Sequence, residues 1–513
     1  MSENATRDAL DDLGPRDEQS SPAHRPQPAP ALDAATAKRN RTALVLLLAA
    51  TFTVFLNETV MSVAIPNIQE DLGISASTGQ WLTTAFALTM AVVIPITGWL
   101  LQRYSTRTLF IVAMTLFSAG TLLAAVAPVF GLLVVGRVVQ ASGTAIMMPL
   151  MMTTMLTIVP PQDRGRIMGR VSIVMSVAPA IGPAVSGLLL TVLPWRGLFF
   201  VMLPIGVLML VVGIARVPNV SELRSIPLDV PSVILSAVGF SSLVYGLSSL
   251  GESAGEATLV PPILPVAVGL AVLAGFVVRQ IGLQKRDAAL LDLRTFRSRQ
   301  FTMSLIMLAV AMLSLFGTVI LIPQFVQNAL GQEPVVVGAL LLPGGLLMGV
   351  LGPIVGRLYD RFGPTPLLVP GSIVLSAAFW VMAMTFGPET PLWMVAASHI
   401  LLSLGLAFLF TPLFSTGLGS LQPHLYSHGS ATVSTLQQVA AAAGTALFVA
   451  LFAIGMLGSG AESVETASAA EIAAGVHQAF MVGAAISVVV VVLSFFVRKP
   501  ATAPGEGSTP LGH

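Results

Sequence analysis

Fourteen separate stretches of about 20 or more mostly apolar residues run through this chain, and that length is what a helix needs to cross the hydrocarbon core of a bilayer. They fall near residues 43–65, 80–101, 108–127, 129–156, 167–190, 197–215, 230–250, 260–280, 301–326, 335–356, 364–386, 391–416, 427–456 and 475–497. Composition agrees: of 513 residues, 55% are hydrophobic and only 10% charged, against about 25% charged in a soluble domain. The mean hydropathy is +0.86. The net charge of +1 supplies no basic field for nucleic acid. The absence of cysteine excludes disulfides, thiolate metal sites and cysteine nucleophiles. The chain is therefore expected to be an all-α polytopic membrane protein.

The ends are polar. Residues 1–42 carry Ala, Pro, Asp, Arg and Ser without an aliphatic run, and are expected to form a disordered cytosolic tail. No short apolar core follows Met1, so the segment does not read as a signal peptide. Residues 498–513 form a second short tail. With the first tail in the cytosol, the even-numbered loops carry Arg103, Arg107, Arg164, Arg166, Arg170, Arg216, Arg224, Lys285, Arg286, Arg294, Arg297, Arg299, Arg357 and Arg361. The odd-numbered loops carry Glu70, Asp71, Glu252, Glu256, Glu333, Glu389, Glu462, Glu465 and Glu471, with Arg196 as their basic residue. Lys and Arg bias sets orientation, so both termini are expected in the cytosol.

A repeat lies inside the pattern. The second loop runs from Gly98 through Leu100, Arg103 and Tyr104, and the tenth from Gly356 through Leu358, Arg361 and Phe362, at the same offsets. Each joins the second and third spans of a six-span group. The expected architecture is two pseudo-symmetric six-helix bundles, residues 43–215 and 301–497, with two inserted spans in residues 216–300. Transporters are often built from such repeats and hold substrate between the halves near the midplane.

Glu58 lies about seven residues inside the outer end of the first span. A carboxylate at that depth is costly unless protonated, paired or wet. Such a group can gain and lose a proton as water reaches it from one side and then the other; the bland alternative is a permanently neutral structural acid. Arg137, in the fourth span, lies at a similar depth, roughly 10–12 Å below the surface at helical rise. It either pairs with Glu58, directly or through water, or binds backbone carbonyls at a packed interface. Asn57 and Met61 beside Glu58, and Gln140 one turn from Arg137, join the expected substrate cavity. Gln327, Asn328, Gln437 and Gln438 supply polar groups from the second half, either to orient substrate or to glue helices. His399 and His477 either titrate or bond at helix interfaces. Met147, Met148, Met151, Met152 and Met155 either line an adaptable pocket or face lipid and neighbouring helices. Span five packs Pro179, Gly182, Pro183 and Gly187 into ten residues, a composition suited to close packing and a bend.

These residues resemble a known family. Leu56-Asn57-Glu58-Thr59 with Val63-Ala64-Ile65-Pro66 is similar to the first-span motif of the fourteen-span drug–proton antiporters of the major facilitator superfamily. Arg137, Gln140 and Gly143 resemble their fourth-span motif, and Ala178 to Gly187 their fifth-span motif. His428-Gly429-Ser430-Ala431, followed by Thr435-Leu436-Gln437-Gln438-Val439, resembles the entry to their thirteenth span. The lincomycin-resistance type of multidrug exporter is the nearest resemblance, covering about residues 43–497. It implies proton coupling at Glu58 and Arg137, an interbundle hinge and seal at Pro179, Gly182, Pro183 and Gly187, and gating by Gly98, Arg103, Gly356, Asp360 and Arg361. Two departures stand out. Gln102 occupies the place of the family's usual loop acid, while the second copy keeps Asp360. Met202-Leu203-Pro204 departs from the common Asn-x-Pro.

The expected function is proton-coupled multidrug efflux of lipophilic or amphipathic compounds across a bacterial cytoplasmic membrane, by alternating access. No Gly-x-x-x-x-Gly-Lys-Ser/Thr loop is present to bind nucleotide. No cofactor or metal is expected, and one chain carries both halves, so a monomer suffices. The rival reading is an exporter of an endogenous lipid, fatty acid or cell-envelope precursor. A membrane enzyme would need convergent catalytic groups, which the sequence lacks at recognisable spacing.

Overall fold

The computed structural model describes residues 34–220, 223, 227–252, 261–461 and 467–498. Most of the expected N-terminal tail and nearly all of the C-terminal tail lie outside these residues, as do Arg224, Glu256, Glu462 and Glu465. Among the described residues, 14 helices are long and apolar enough to cross a membrane. The first six are α1 (Ala34–Leu72), α2 (Ala76–Arg103), α3 (Thr106–Ala125), α4 (Phe130–Ile158), α5 (Arg164–Leu190) and α6 (Trp195–Arg216). Then come α7 (Val230–Glu252) and α8 (Ile263–Leu283). The second six are α9 (Arg299–Gln324), α10 (Pro334–Phe362), α11 (Thr365–Thr385), α12 (Leu392–Gly419), α13 (Tyr426–Gly458) and α14 (Ala469–Ser494). Fourteen passages bring Ala34 and Arg498 to one side, called here the terminal face; the other is the far face.

Several helices outrun their apolar cores. Residues 34–42, expected to be tail, are the first turns of α1. They contain no Pro or Gly, so nothing stops the ladder of hydrogen bonds from continuing past the apolar core. Inside the spans, helices run through proline, as α5 does at Pro179 and Pro183. Neighbouring helices make that tolerable in an apolar bundle. Polar caps mark other ends: Ser75 accepts from the Thr78 N–H and Ser105 from the Thr108 N–H, both at 3.2 Å.

The two bundles repeat one packing device. A Cβ on Gly136 of α4 would meet the Ala124 backbone N of α3 at 2.9 Å. A Cβ on Gly405 of α12 would meet the Leu375 backbone N of α11 at 2.6 Å. Each bundle thus brings the backbones of its third and fourth helices together through glycine. The inserted pair does likewise, with Gly269 of α8 against Leu243 of α7. α7 also leans on the first bundle, where Trp81 stacks on Tyr245 with ring centroids 6.3 Å apart.

The far face of the first bundle is tied at one corner. Asp71, at the end of α1, accepts from the Trp195 indole at 2.9 Å and from Arg196 at 2.7 Å. Arg196 also donates to the Ala127 carbonyl at 3.1 Å. The one basic residue expected on this side is therefore spent on holding three loops together. These hydrogen bonds hold the Asp71 carboxyl below the usual range.

Candidate transport site and gate

Glu58 sits midway along the far-face half of α1, partly exposed, between buried Asn57 and the Thr59 that packs on α5. Among the described residues its carboxylate makes no hydrogen bond and no ion pair. Arg137 is its charged neighbour. The guanidinium itself is committed elsewhere: it donates to the Gln140 side-chain oxygen at 2.5 Å and to the Leu82 carbonyl at 3.4 Å. It also lies over the Phe86 ring, 4.2 Å from the centroid. Gln140 in turn donates to Thr121 of α3 at 2.7 Å. Arg137 and Gln140 are almost fully buried, at 1% and 0% exposure. A cation so enclosed is costly unless its donors find partners; Nε and Nη1 find theirs on α2 and α4, with Gln140 braced by α3, and neither bond goes to Glu58. The expected direct pair is therefore not formed in this conformation. The acid is left next to a fixed positive charge.

This geometry corrects two cavity assignments. Gln140 is a strut for Arg137 and faces no open space. Met61 is buried with Val60, Ala64 and Leu82 in the interior of the first bundle. Asn57 is also buried, and its Nδ2 has no partner. From the second half, Gln437 and Gln438 are partly exposed on α13. Gln438 lies seven residues beyond Ala431, two helical turns along the same face, and Ala431 packs against α2. Gln327 and Asn328 lie in a π-helical turn, Phe325–Ala329, where Asn328 donates to Gln324 at 3.1 Å. Met147, Met148, Met151, Met152 and Met155 are all buried in the packed core. His399 packs against Gly344 of α10, and His477 Nδ1 lies 2.6 Å from the Ala383 carbonyl of α11; both sit at helix interfaces.

The seam between the bundles is built on the terminal side. Asp360 of α10 accepts from the Gly165 and Arg166 N–H groups, both at 2.7 Å. Those are the free donors of the first turn of α5, where an anion is favoured. Below them the two helices touch backbone to backbone. A Cβ on Gly169 would lie 2.9 Å from Pro353 Cα, and one on Gly352 would lie 2.6 Å from the Gly169 carbonyl oxygen. Ser172 and Thr411 of α12 share a hydrogen bond of 2.6 Å. Arg164 donates to the Tyr426 hydroxyl at 3.1 Å and anchors its own loop through the Leu156 carbonyl at 3.0 Å.

The other side of the seam joins α2 to α13. Gln102 Nε2 lies 2.8 Å from His428 Nε2. Gly98 faces His428 and Ala431, and a Cβ there would lie 3.4 Å from each. The sequence departure at Gln102 is thus a neutral interbundle bond in place of a charged one. Arg103 is exposed at the end of α2, and Arg361 is exposed over the Phe362 ring.

In this conformation the expected hinge and seal of span five, Pro179 to Gly187, lies away from the other half. Gly182 faces Thr59 of α1, within the first bundle, and Thr59 donates to the Ala178 carbonyl of α5 at 3.3 Å. Pro179 and Pro183 are exposed, and a Cβ on Gly187 would meet open space. The part of α5 that meets the other half lies toward its start, at Gly165 and Gly169. Sequence reasoning passed over these glycines. The signal was there: Gly165/Gly169 and Gly352/Gly356 are two small-x-x-x-small pairs.

Two helical bundles joined by a glycine-lined, hydrogen-bonded seam, with a buried arginine beside an intramembrane carboxylate in one, define a membrane transporter. The chain belongs to the Major Facilitator Superfamily, whose family model matches residues 47–445. It is similar to the MFS-type transporter YcnB of Bacillus subtilis, 37% identical over 90% of this chain and 96% of that one. It is also similar to the lincomycin resistance protein LmrB of Listeria monocytogenes, 38% identical over 86% and 93%. The crystal structure of the human organic anion transporter MFSD10 shares the fold, with a TM-score of 0.64 at 13% identity, over 89% of this chain and 99% of that one.

Proposed function

We propose that the protein exports lipophilic or amphipathic compounds across a bacterial cytoplasmic membrane in exchange for protons, as a monomer with both termini in the cytosol. The observation that carries this is the Glu58 carboxyl. It is sunk among apolar helices, unbonded, and beside an arginine that donates to Gln140 and Leu82 rather than to it. An acid so placed is loaded or emptied according to which aqueous side reaches it. The resemblance to LmrB supports a drug as the cargo. The crowd of Arg and Lys on the terminal face supports its assignment to the cytosol. The seam closed on that face supports reading this as the outward-facing arrangement. Glu58 takes a proton from outside as drug leaves; the bundles then rock, and the proton is released to the cytosol as new drug enters.

The energetics suffice. One proton moving inward through 100 mV releases about 2.3 kcal/mol, and each pH unit adds about 1.4 kcal/mol. Together they sustain an outward gradient of a neutral solute on the order of several hundredfold. Drug flux in proteoliposomes under an imposed pH gradient tests the reading. Glu58→Gln is expected to lose gradient-driven transport, by on the order of a hundredfold or more, while still exchanging drug down its own gradient. Equal gradient-driven transport by the variant and the wild type would remove Glu58 from the mechanism.

A further inference from the structure

α7 and α8 have no counterpart in either bundle, yet the connection that leaves them is buried in the gate. After α8 the chain turns at Asp287, in the left-handed region at φ +51°, and then runs as an irregular segment, residues 288–292, that bends at Leu290 and Leu291. Leu290 is 1% exposed and Leu291 5%. These two leucines pack with Phe276 of α8 and Ala431 of α13, and Trp99 of α2 and Val233 and Leu235 of α7 close around them. The Leu290 carbonyl lies 3.3 Å from the point where a Cβ on Gly98 would be. The segment therefore touches α2 from the first bundle and α13 from the second, beside the Gln102–His428 bond.

Both ends of the segment are fixed. On the α8 side the fixing residue is Gln280, which is fully buried. Its side-chain oxygen accepts from the Leu290 N–H at 2.7 Å and the Leu291 N–H at 3.3 Å, and its Nε2 donates to Ser232 of α7 at 2.7 Å. One carboxamide thus ties the segment to both inserted helices. On the α9 side Asp292 accepts from the backbone N–H of Arg294 at 2.9 Å and from its Nε at 2.8 Å, turning the chain into the next helix.

We propose that residues 288–292 are a clasp, held by the inserted helices across the α2–α13 side of the gate, and that Gln280 is the positioning residue that sets it. Opening the terminal face must pull Gly98 and Trp99 away from Ala431 and His428. With the clasp seated, that motion also strips the cover from Leu290 and Leu291, so the clasp favours the closed face. The inserted pair thereby adjusts how long the transporter stays outward-facing. This inference rests on the reading that the terminal face opens and closes during transport.

The chain has no cysteine, so a cysteine pair introduced at exposed Gln162 and Arg357, on either side of the seam, can be spin-labelled without further change. Distances across the terminal face are measured in nanodiscs, without drug or gradient. Gln280→Met keeps the bulk and removes the acceptor for both N–H groups; the open population is expected to rise about tenfold. Leu290→Ala, which trims the wedge and leaves Gln280 in place, is expected to shift the distribution the same way. Val278→Ala, on the 70% exposed outer side of α8, should leave it unchanged. Unaltered distances in folded Gln280→Met and Leu290→Ala protein would overturn the clasp, as would an equal shift in Val278→Ala, which would mean generic loosening of α8. A failure of the transport reading would show instead in the flux of the wild type, which these distances do not measure.

Discussion

The two copies of the gate loop close the same face with different chemistry. In the second half, Asp360 lays a full negative charge on two backbone N–H groups at the start of α5. In the first half, Gln102 stands at the matching place, four residues after its glycine, and makes a neutral bond to His428. Charge-assisted hydrogen bonds are roughly twice as strong as neutral ones, and a helix N-terminus adds to the difference. The α5–α10 side is therefore the strong side of the seam and the α2–α13 side the weak one. The weak side is where the α8–α9 connection is buried. The lesson is that a pseudo-symmetric gate need not be energetically symmetric, and that an insertion can cover the weaker half.

The sharpest way to break the strong side is steric. Gly169→Leu would put a side chain where Pro353 Cα and the Gly352 backbone already are. Closure of the terminal face would then be blocked, and drug flux is expected to fall on the order of a hundredfold. Gly187→Ala, which meets open space, should transport as the wild type does. Normal flux in Gly169→Leu would mean that the two helices need not touch during the cycle.

The next test compares the latches directly. Asp360→Asn keeps the shape and one acceptor but removes the charge; the closed fraction, read by the same spin-label pair, is expected to drop about tenfold. For the first half both partners must go together, because a lone buried imidazole would carry its own penalty. Gln102→Leu combined with His428→Leu is expected to change the closed fraction by no more than about threefold. Equal effects from the two replacements would show that charge is not what distinguishes the halves.

The fold was legible because the bilayer leaves few choices. Each apolar stretch had to be a helix, because nothing else satisfies the backbone inside hydrocarbon. Glu58 and Arg137 were legible for the same reason: a charge within an apolar run is conspicuous. What could not be read was which neighbour each side chain takes. Arg137 bonds Gln140, three residues along its own helix, and the Leu82 carbonyl of another, and no periodicity separates that choice from a pairing with Glu58. Gly182 and Gly169 look alike in sequence; only the tilt of α5 sends one to α1 and the other to α10. The clasp was harder still. Leu290 and Leu291 sit in a loop flanked by charges, where apolar residues carry no helical or alternating signal, and their burial depends on Gln280 ten residues earlier.

The base of the inserted pair offers the smallest effect, and its sign can be worked out in advance. Asp229 lies just before α7, outside the apolar span, and Arg279 of α8 donates to both its oxygens at 2.7 and 2.8 Å. With help from Ser232, these bonds push its carboxyl down to about 2. A carboxyl lowered in this way stabilises the fold fully above its unfolded value near 3.9 and loses that contribution as pH falls toward the folded value. Asp229→Asn should therefore unfold slightly more readily than the wild type at neutral pH, and the gap should close between about pH 4 and about pH 2. Because the pair is open to solvent on the arginine side, with Arg279 39% exposed, the gap should be well below that of Asp360→Asn and should shrink with added salt. Should α7 and α8 merely occupy space beside the bundles, the same substitution would leave the spin-label distances at the terminal face untouched. Should they hold the clasp, loosening their base should raise the open population slightly, in the same direction as Gln280→Met.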